Sequence, residues 1–138
     1  MTPLTLAQAQ DLIGRAIART TQEFQRPVCV AVCDASGLLV AFARMTGAPL
    51  RSVQISQGKA YTAARMGVTT EALLARLHRE RIEVGYFCDP AFTALPGGSP
   101  LKDADGTLIG AIGISGLTSA EDQSVTDFVS AAVAAGEL

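Results

Sequence analysis

Arg44, Lys59, Tyr61 and a proline-bracketed glycine pair are the residues whose types could do chemistry together. Arg44 closes an apolar run, and Lys59 and Tyr61 lie in the small-residue stretch Gly58-Lys59-Ala60-Tyr61-Thr62-Ala63-Ala64. In Leu95-Pro96-Gly97-Gly98-Ser99-Pro100-Leu101 two prolines enclose a Gly-Gly pair. Such a loop is stiff, and its backbone N–H groups can be presented to an anion or a carbonyl oxygen. A guanidinium binds a carboxylate through two parallel hydrogen bonds. Convergence of Arg44, Lys59 and the amides of Gly97 and Gly98, with Tyr61 beside them, would make an anion-recognising ligand pocket. The plainer alternatives are a solvated lysine, a surface ion pair at Arg44 and an ordinary rigid turn. Tyr61 and Asp34 are the candidates for moving a proton.

Other chemistries find little support. His78 is the single histidine, beside Arg76, Arg79 and Arg81. Zinc sites need clustered His, Cys or carboxylate ligands, so no metal site is expected. There is no Gly-x-Ser-x-Gly elbow and no P-loop. Gly110, Gly113 and Gly116 lack the spacing of a dinucleotide fingerprint. Gly110 and Gly113 lie inside a strand pattern, where glycine marks the close approach of a helix or a ligand. Cys29 and Cys33 share a strand four residues apart, roughly 13 Å at about 3.3 Å per residue, too far for a disulfide. With Cys88 they are read as reduced thiols.

The elements that must position these residues follow from periodicity and punctuation. Thr5 and Gln8 form a capping box ahead of Leu6, Ala9, Ile13, Ala16, Ile17 and Phe24 at helical spacing, so a helix runs from about Thr5 to Phe24 and stops before Pro27. The runs 28–33 and 38–43 flank Asp34-Ala35-Ser36-Gly37, a hairpin whose faces are both expected to be largely buried. Pro49 opens the next helix, which ends at Gly67. A shorter helix starts at Thr69 or Thr70. Residues 85–98 break the pattern, with an extra strand near 91–95. Asp103-Ala104-Asp105-Gly106 repeats the first turn and leads into a strand over 107–115. Ser119 with Asp122 is read as the cap of a final helix. The order is α-β-β-α-α-β-β-α, an α/β (α+β) fold with a single antiparallel sheet flanked by helices, in one domain over residues 1–138.

Composition narrows the function classes. Of 138 residues 49% are apolar and 17% charged, with net charge −2. A small domain with so little charge has apolar surface to cover, which points to a homo-oligomer. No basic face exists for nucleic acid, and no stretch is long enough to span a membrane. The start, Met1-Thr2-Pro3-Leu4, lacks the basic and apolar regions of a signal peptide, so a cytoplasmic location is expected.

Five segments in order resemble the GlcG/HbpS-like family, which includes the haem-binding sensor HbpS and the C-terminal domain of PduO-type proteins. They are residues 32–37 with Leu39-Val40, Arg44-Met45 with Gly47-Ala48-Pro49-Leu50, residues 59–63, residues 96–101, and residues 109–116 leading to Glu121-Asp122. The resemblance implies a profilin-like fold, homo-oligomers and a small-molecule ligand, which in some members is haem or another tetrapyrrole. Thr46 stands where the family often has Asp, and the helix over 5–24 lacks the histidine that ligates haem iron in some relatives. His78 is then the haem-ligand candidate, with Tyr61, Met66 and Cys88 also of ligand type. The competing reading is a small enzyme or catabolic accessory protein acting on an organic (hydroxy or aromatic) acid, whose carboxylate Arg44 and Lys59 would hold. A purely structural oligomer is the third.

Overall fold

A computed structural model describes residues 3–138. Its elements are α1 (Leu6–Glu23), β1 (Cys29–Asp34), β2 (Leu39–Arg44), α2 (Ser52–Met66), α3 (Thr70–Glu80), a 3-10 turn at Val84–Phe87, β3 (Gly98–Lys102), β4 (Leu108–Ser115) and α4 (Ser119–Ala134). The four strands form one antiparallel sheet in the order β2-β1-β4-β3. The expected element order and α+β class hold.

Local chemistry sets the ends. Thr5 and Gln8 make the capping box of α1. Thr69 caps α3, and Gly67 closes α2 in the left-handed region. The two hairpin turns are copies of one design. Gly37 and Gly106 have φ of 89° and 81°, and each donates its N–H to the carbonyl of the turn's aspartate, Asp34 or Asp103. Those conformations strain any residue with a Cβ, which is why glycine sits there.

Four expectations are corrected. No strand forms at 91–95: Asp89 ties the segment into a turn, accepting from the Ala91 and Phe92 amides. Helix α2 begins at Ser52, not at Pro49, whose carbonyl instead accepts from the Ser52 amide in a preceding turn. Helix α4 is capped by Thr118 with Glu121 in a full capping box, because Asp122 is drawn inward. The first hairpin is buried only along β1; β2 is an edge strand, half-buried to exposed. Residues Met1 and Thr2, read as part of the N-terminal lead-in, lie outside the described residues. Among the described residues no helix is long and apolar enough to cross a membrane.

The two faces of the sheet carry different residues. Val28, Val30, Val32, Ile112, Ile114 and Leu101 pack with Leu12, Ile13 and Ala16 of α1 and Val125, Val129 and Val133 of α4. Burying each of these large side chains contributes about 1.5–3 kcal/mol. The other face shows Ala31, Cys33 and Ala111 to Ala60, Ala63 and Ala64 of α2. Here the residues are small because the helix backbone itself comes down on the sheet. A Cβ built at Gly113 would stand 2.2 Å from the Ser56 carbonyl oxygen and 2.6 Å from the Ala60 nitrogen. Both are backbone atoms and neither can turn aside. Gly113→Ala is therefore expected to lower stability by about 1–3 kcal/mol, the usual cost of overpacking. A urea melt with an unchanged midpoint would show that α2 can move away freely.

Candidate functional site

Helix α2 presents a second face away from the sheet. Gln54, Gly58, Tyr61 and Arg65 recur on it at three- and four-residue spacing. Between this face, the β1–β2 hairpin and the segment 88–95 lies an open cleft of about 430 Å³. Buried Cys33 and Ala60 line its base, Leu39, Ile55, Pro90 and Phe92 supply apolar wall, and Gln54, Gln57, Tyr61 and Thr93 supply polar atoms. Among the described residues, none that line it carries a charge.

Tyr61 is the centre of the cleft wall. Its phenol donates to Asp89 Oδ2 at 2.6 Å, and its ring meets Phe92 edge-on at 5.9 Å. The Arg65 guanidinium lies 4.9 Å from the same ring and donates from Nε to the Ser36 carbonyl at 2.8 Å, linking α2 to the hairpin turn. The hydrogen bond to Asp89 pushes the Tyr61 phenol up and holds the Asp89 carboxyl down, with the Ala91 amide adding to the latter. The outer wall is shaped by Cys88 in the left-handed region and by the Asp89-Pro90 turn. The Thr93 amide fastens it to α2 by donating to Thr62 Oγ1 at 3.0 Å.

The expected anion pocket is corrected at its two main parts. Lys59 and the Gly97–Gly98 backbone do lie together, but the carboxylate beside them belongs to the chain. Lys59 Nζ donates to Asp122 Oδ2 at 3.1 Å and to the Ile114 carbonyl at 2.8 Å, with both side chains at most 3% exposed. Burial pulls the lysine's pKa down and pushes the aspartate's up, while the pairing opposes both shifts. The amides are equally committed, Gly97 N–H to Gln123 Oε1 at 2.7 Å and Gly98 N–H to Thr70 Oγ1 at 2.9 Å. A ligand finds neither a free ammonium nor free amides there.

The other candidates scatter. Arg44 ends edge strand β2, exposed, opposite Cys29 and away from the cleft. Asp34 caps its own turn, Oδ1 accepting from the Ser36 and Leu38 amides at 2.9 and 3.0 Å. His78 is exposed on α3, and Met66 lines a separate groove beside α3. Cys88 is exposed, whereas Cys29 and Cys33 are buried, and all three are free thiols. Burial pushes the Cys33 thiol up to about 12. Among the described residues no group of three or more His, Cys, Asp or Glu could hold a metal ion. Of the expected site residues only Tyr61 lines the cleft. Phe92 and Thr93, which line that wall, and Asp89, which holds the Tyr61 phenol, were legible in sequence only as part of a breaker region.

The family model for the haem degrading protein HbpS-like proteins matches residues 4–133. This chain belongs to the HbpS-like family. It is 35% identical to protein GlcG of Escherichia coli (strain K12) over 110 residues, 78% of this chain and 80% of that one. It is 32% identical to the corrinoid adenosyltransferase PduO of Salmonella typhimurium (strain LT2) over 98% of its own length, but spans only 41% of that protein. Among solved HbpS-like structures, a double mutant of HbpS from Streptomyces reticuli superposes with a TM-score of 0.85 at 27% identity, covering 96% of this chain and 88% of that one. PduOC, solved as a haem complex, superposes with a TM-score of 0.83 at 29% identity, covering 96% of each chain.

The Lys59–Asp122 pair is the charged centre of this HbpS-like fold, and its removal has a defined signature. Asp122→Leu strands a buried ammonium and is expected to cost about 3–5 kcal/mol, whereas Lys59→Met with Asp122→Leu together should cost less than either single change. Denaturant melts of the three variants check this; additive losses would mean the pair is not coupled.

Proposed function

We propose that this HbpS-like protein is a small-molecule-binding protein whose ligand occupies the cleft beside Tyr61, with haem or a related tetrapyrrole as the ligand its relatives suggest. The observation that carries the reading is the cleft itself. Its volume of about 430 Å³ falls in the range of ordinary ligand pockets, and its walls are apolar and aromatic with a few convergent polar atoms. The family description and the haem complex of PduOC support the choice of ring.

The residues present suit the flat ring and not its iron. Axial ligands are usually His, Cys, Met or Tyr, and among the described residues the cleft offers only Cys33 and Tyr61. The Cys33 thiol keeps its proton, and the Tyr61 proton is committed to Asp89. Haem would thus be held by contacts to its ring, and we assign no chemistry to its metal. The alternative of an enzyme acting on an organic acid receives less support, because its two candidates for moving a proton are engaged, Asp34 with the Ser36 and Leu38 amides of its own turn and Tyr61 with Asp89.

We further infer one domain over residues 1–138, a cytoplasmic setting in keeping with three free thiols, and assembly into a homo-oligomer. The support for assembly is the exposure of Leu38, Leu39 and Leu50 at 64%, 52% and 82% in a chain only 17% charged. Light scattering at micromolar concentration is expected to give a mass above the 14.3 kDa protomer, and Leu50→Asp to reduce it; a monomer would end the oligomer reading.

Haemin titration followed by visible absorbance tests the cleft. Saturable uptake in the micromolar range is expected, and Gln54→Trp, which fills the exposed mouth without touching the core, should weaken it tenfold or more, about 1.4 kcal/mol. Uptake unaffected by that substitution would place the ligand elsewhere.

A further inference from the structure

We propose that Arg65 is the anion-binding residue of the cleft, holding at its rim a carboxylate carried on a flat, apolar ligand. This rests on the cleft being the ligand site and adds to the ring contacts one charged anchor, which for haem would take one of its carboxylates.

Position comes first. Arg65 lies one helical turn beyond Tyr61 on α2, and its guanidinium carbon stands 4.9 Å from the centre of the Tyr61 ring. A Cβ built at Gly37 would be 3.3 Å from Arg65 Nε and 2.9 Å from Tyr61 Cδ1, so the three residues are in mutual contact. Gly37 and Tyr61 both line the cleft. Arg65 itself is exposed. It therefore meets them at the mouth, away from the base of Cys33 and Ala60.

Its bonding leaves it available. A guanidinium has five N–H donors. Among the described residues only Nε has a partner, the Ser36 carbonyl at 2.8 Å, and both Nη groups have none. Arg15, Arg19, Arg26 and Arg76 differ, each paired with a carboxylate, of Asp11, Glu23, Glu121 and Glu80 in turn. Asp89 does not fill that place for Arg65, since it takes the phenol proton and the Ala91 amide instead. It does bring negative charge to the same wall, so a ligand carboxylate settles there only where a cation offsets it. The Ser36 bond and the ring contact hold Arg65 in place, and a side chain already ordered loses little further freedom when an anion arrives. Its planar fork then donates two parallel hydrogen bonds to the carboxylate. The competing role, a brace between α2 and the hairpin turn, uses Nε alone and leaves that fork idle.

The probes are haemin and haemin dimethyl ester, equal in ring but with the carboxylates masked in the ester, titrated by visible absorbance against the full chain at neutral pH. The wild-type protein is expected to bind haemin at least tenfold more tightly than the ester. Arg65→Gln, which can still donate to the Ser36 carbonyl, should weaken haemin at least fivefold and leave the ester within twofold, so that the preference collapses. Arg79→Gln removes the same charge from the separate groove beside α3 and should leave both affinities within twofold. Equal wild-type affinities, an unchanged haemin affinity in Arg65→Gln, or an equal loss of haemin and ester in that variant overturns the inference, the last making Arg65 a brace of the wall. So does an equal loss in Arg79→Gln, which would reduce the effect to net charge. In each of these cases the cleft stands as the ligand site if Gln54→Trp still weakens haemin uptake. If the wild-type protein takes up no haemin at all, the cleft reading falls and the role of Arg65 with it.

Discussion

Backbone meets backbone where α2 crosses β4, and the rest of the molecule is arranged around that approach. The carbonyl of Ser56 and the nitrogen of Ala60 come so near Gly113 that no side chain fits between them. Because α2 is a rigid cylinder with 3.6 residues per turn, fixing Ser56, Ala60 and Ala63 on the sheet also fixes what faces outward. Gln54, Gly58, Tyr61 and Arg65 are carried to the opposite side, against the segment 88–95 and the hairpin turn. The site is thus a consequence of seating. The small face of the sheet contributes less apolar burial than the valine and isoleucine face, but it sets the distance from which the cleft is built.

Lys59 lies between these two faces of α2, and its fate shows how the fold handles charge. An ammonium trapped beneath a closely seated helix cannot reach solvent, so it needs a carboxylate inside the protein. Asp122, in the first turn of α4, supplies one and also accepts from the Leu117 amide. Next to it Gln123 serves the strand β3 entry, accepting from the Gly97 amide and donating to the Gly98 carbonyl at 3.2 Å and Ser99 Oγ at 3.0 Å. Buried ion pairs of this kind add little net stability, but breaking one is costly. Their effect here is positional: helix α4, on one side of the sheet, is registered against α2 on the other.

The parts of this structure that were legible in the sequence are those decided within a few residues. Both hairpin turns follow from Asp and Gly three positions apart, and the α1 cap from Thr5 and Gln8, because each hydrogen bond closes locally. The cap of α4 was misplaced by one residue for a nonlocal reason. Thr118-Ser119 followed by Glu121-Asp122 permits two registers, and the choice falls to Lys59, 63 residues away, which claims Asp122. The same blindness affects the site. Lys59 and the Gly-Gly pair looked like anion binders because no carboxylate stood near them in sequence. Asp89 looked like a turn former because its phenol partner is 28 residues off. The family resemblance was readable because it is carried by those locally determined segments.

Such a division also separates what holds the backbone from what lines the cleft. The antiparallel sheet and the helices packed on it match HbpS and PduOC, which superpose at 27–29% identity over 96% of this chain. Those elements are held by the core and by the seating of α2, neither of which touches the cleft wall formed by residues 88–95. That wall has no regular structure of its own and is fastened by few bonds, among them Tyr61 to Asp89 and Thr93 to Thr62. Changing it costs the core little. A fold whose charges are neutralised internally can thus keep its shape while the outer segment sets the hydrogen-bonding character of the cleft, which is why the architecture alone does not name the ligand.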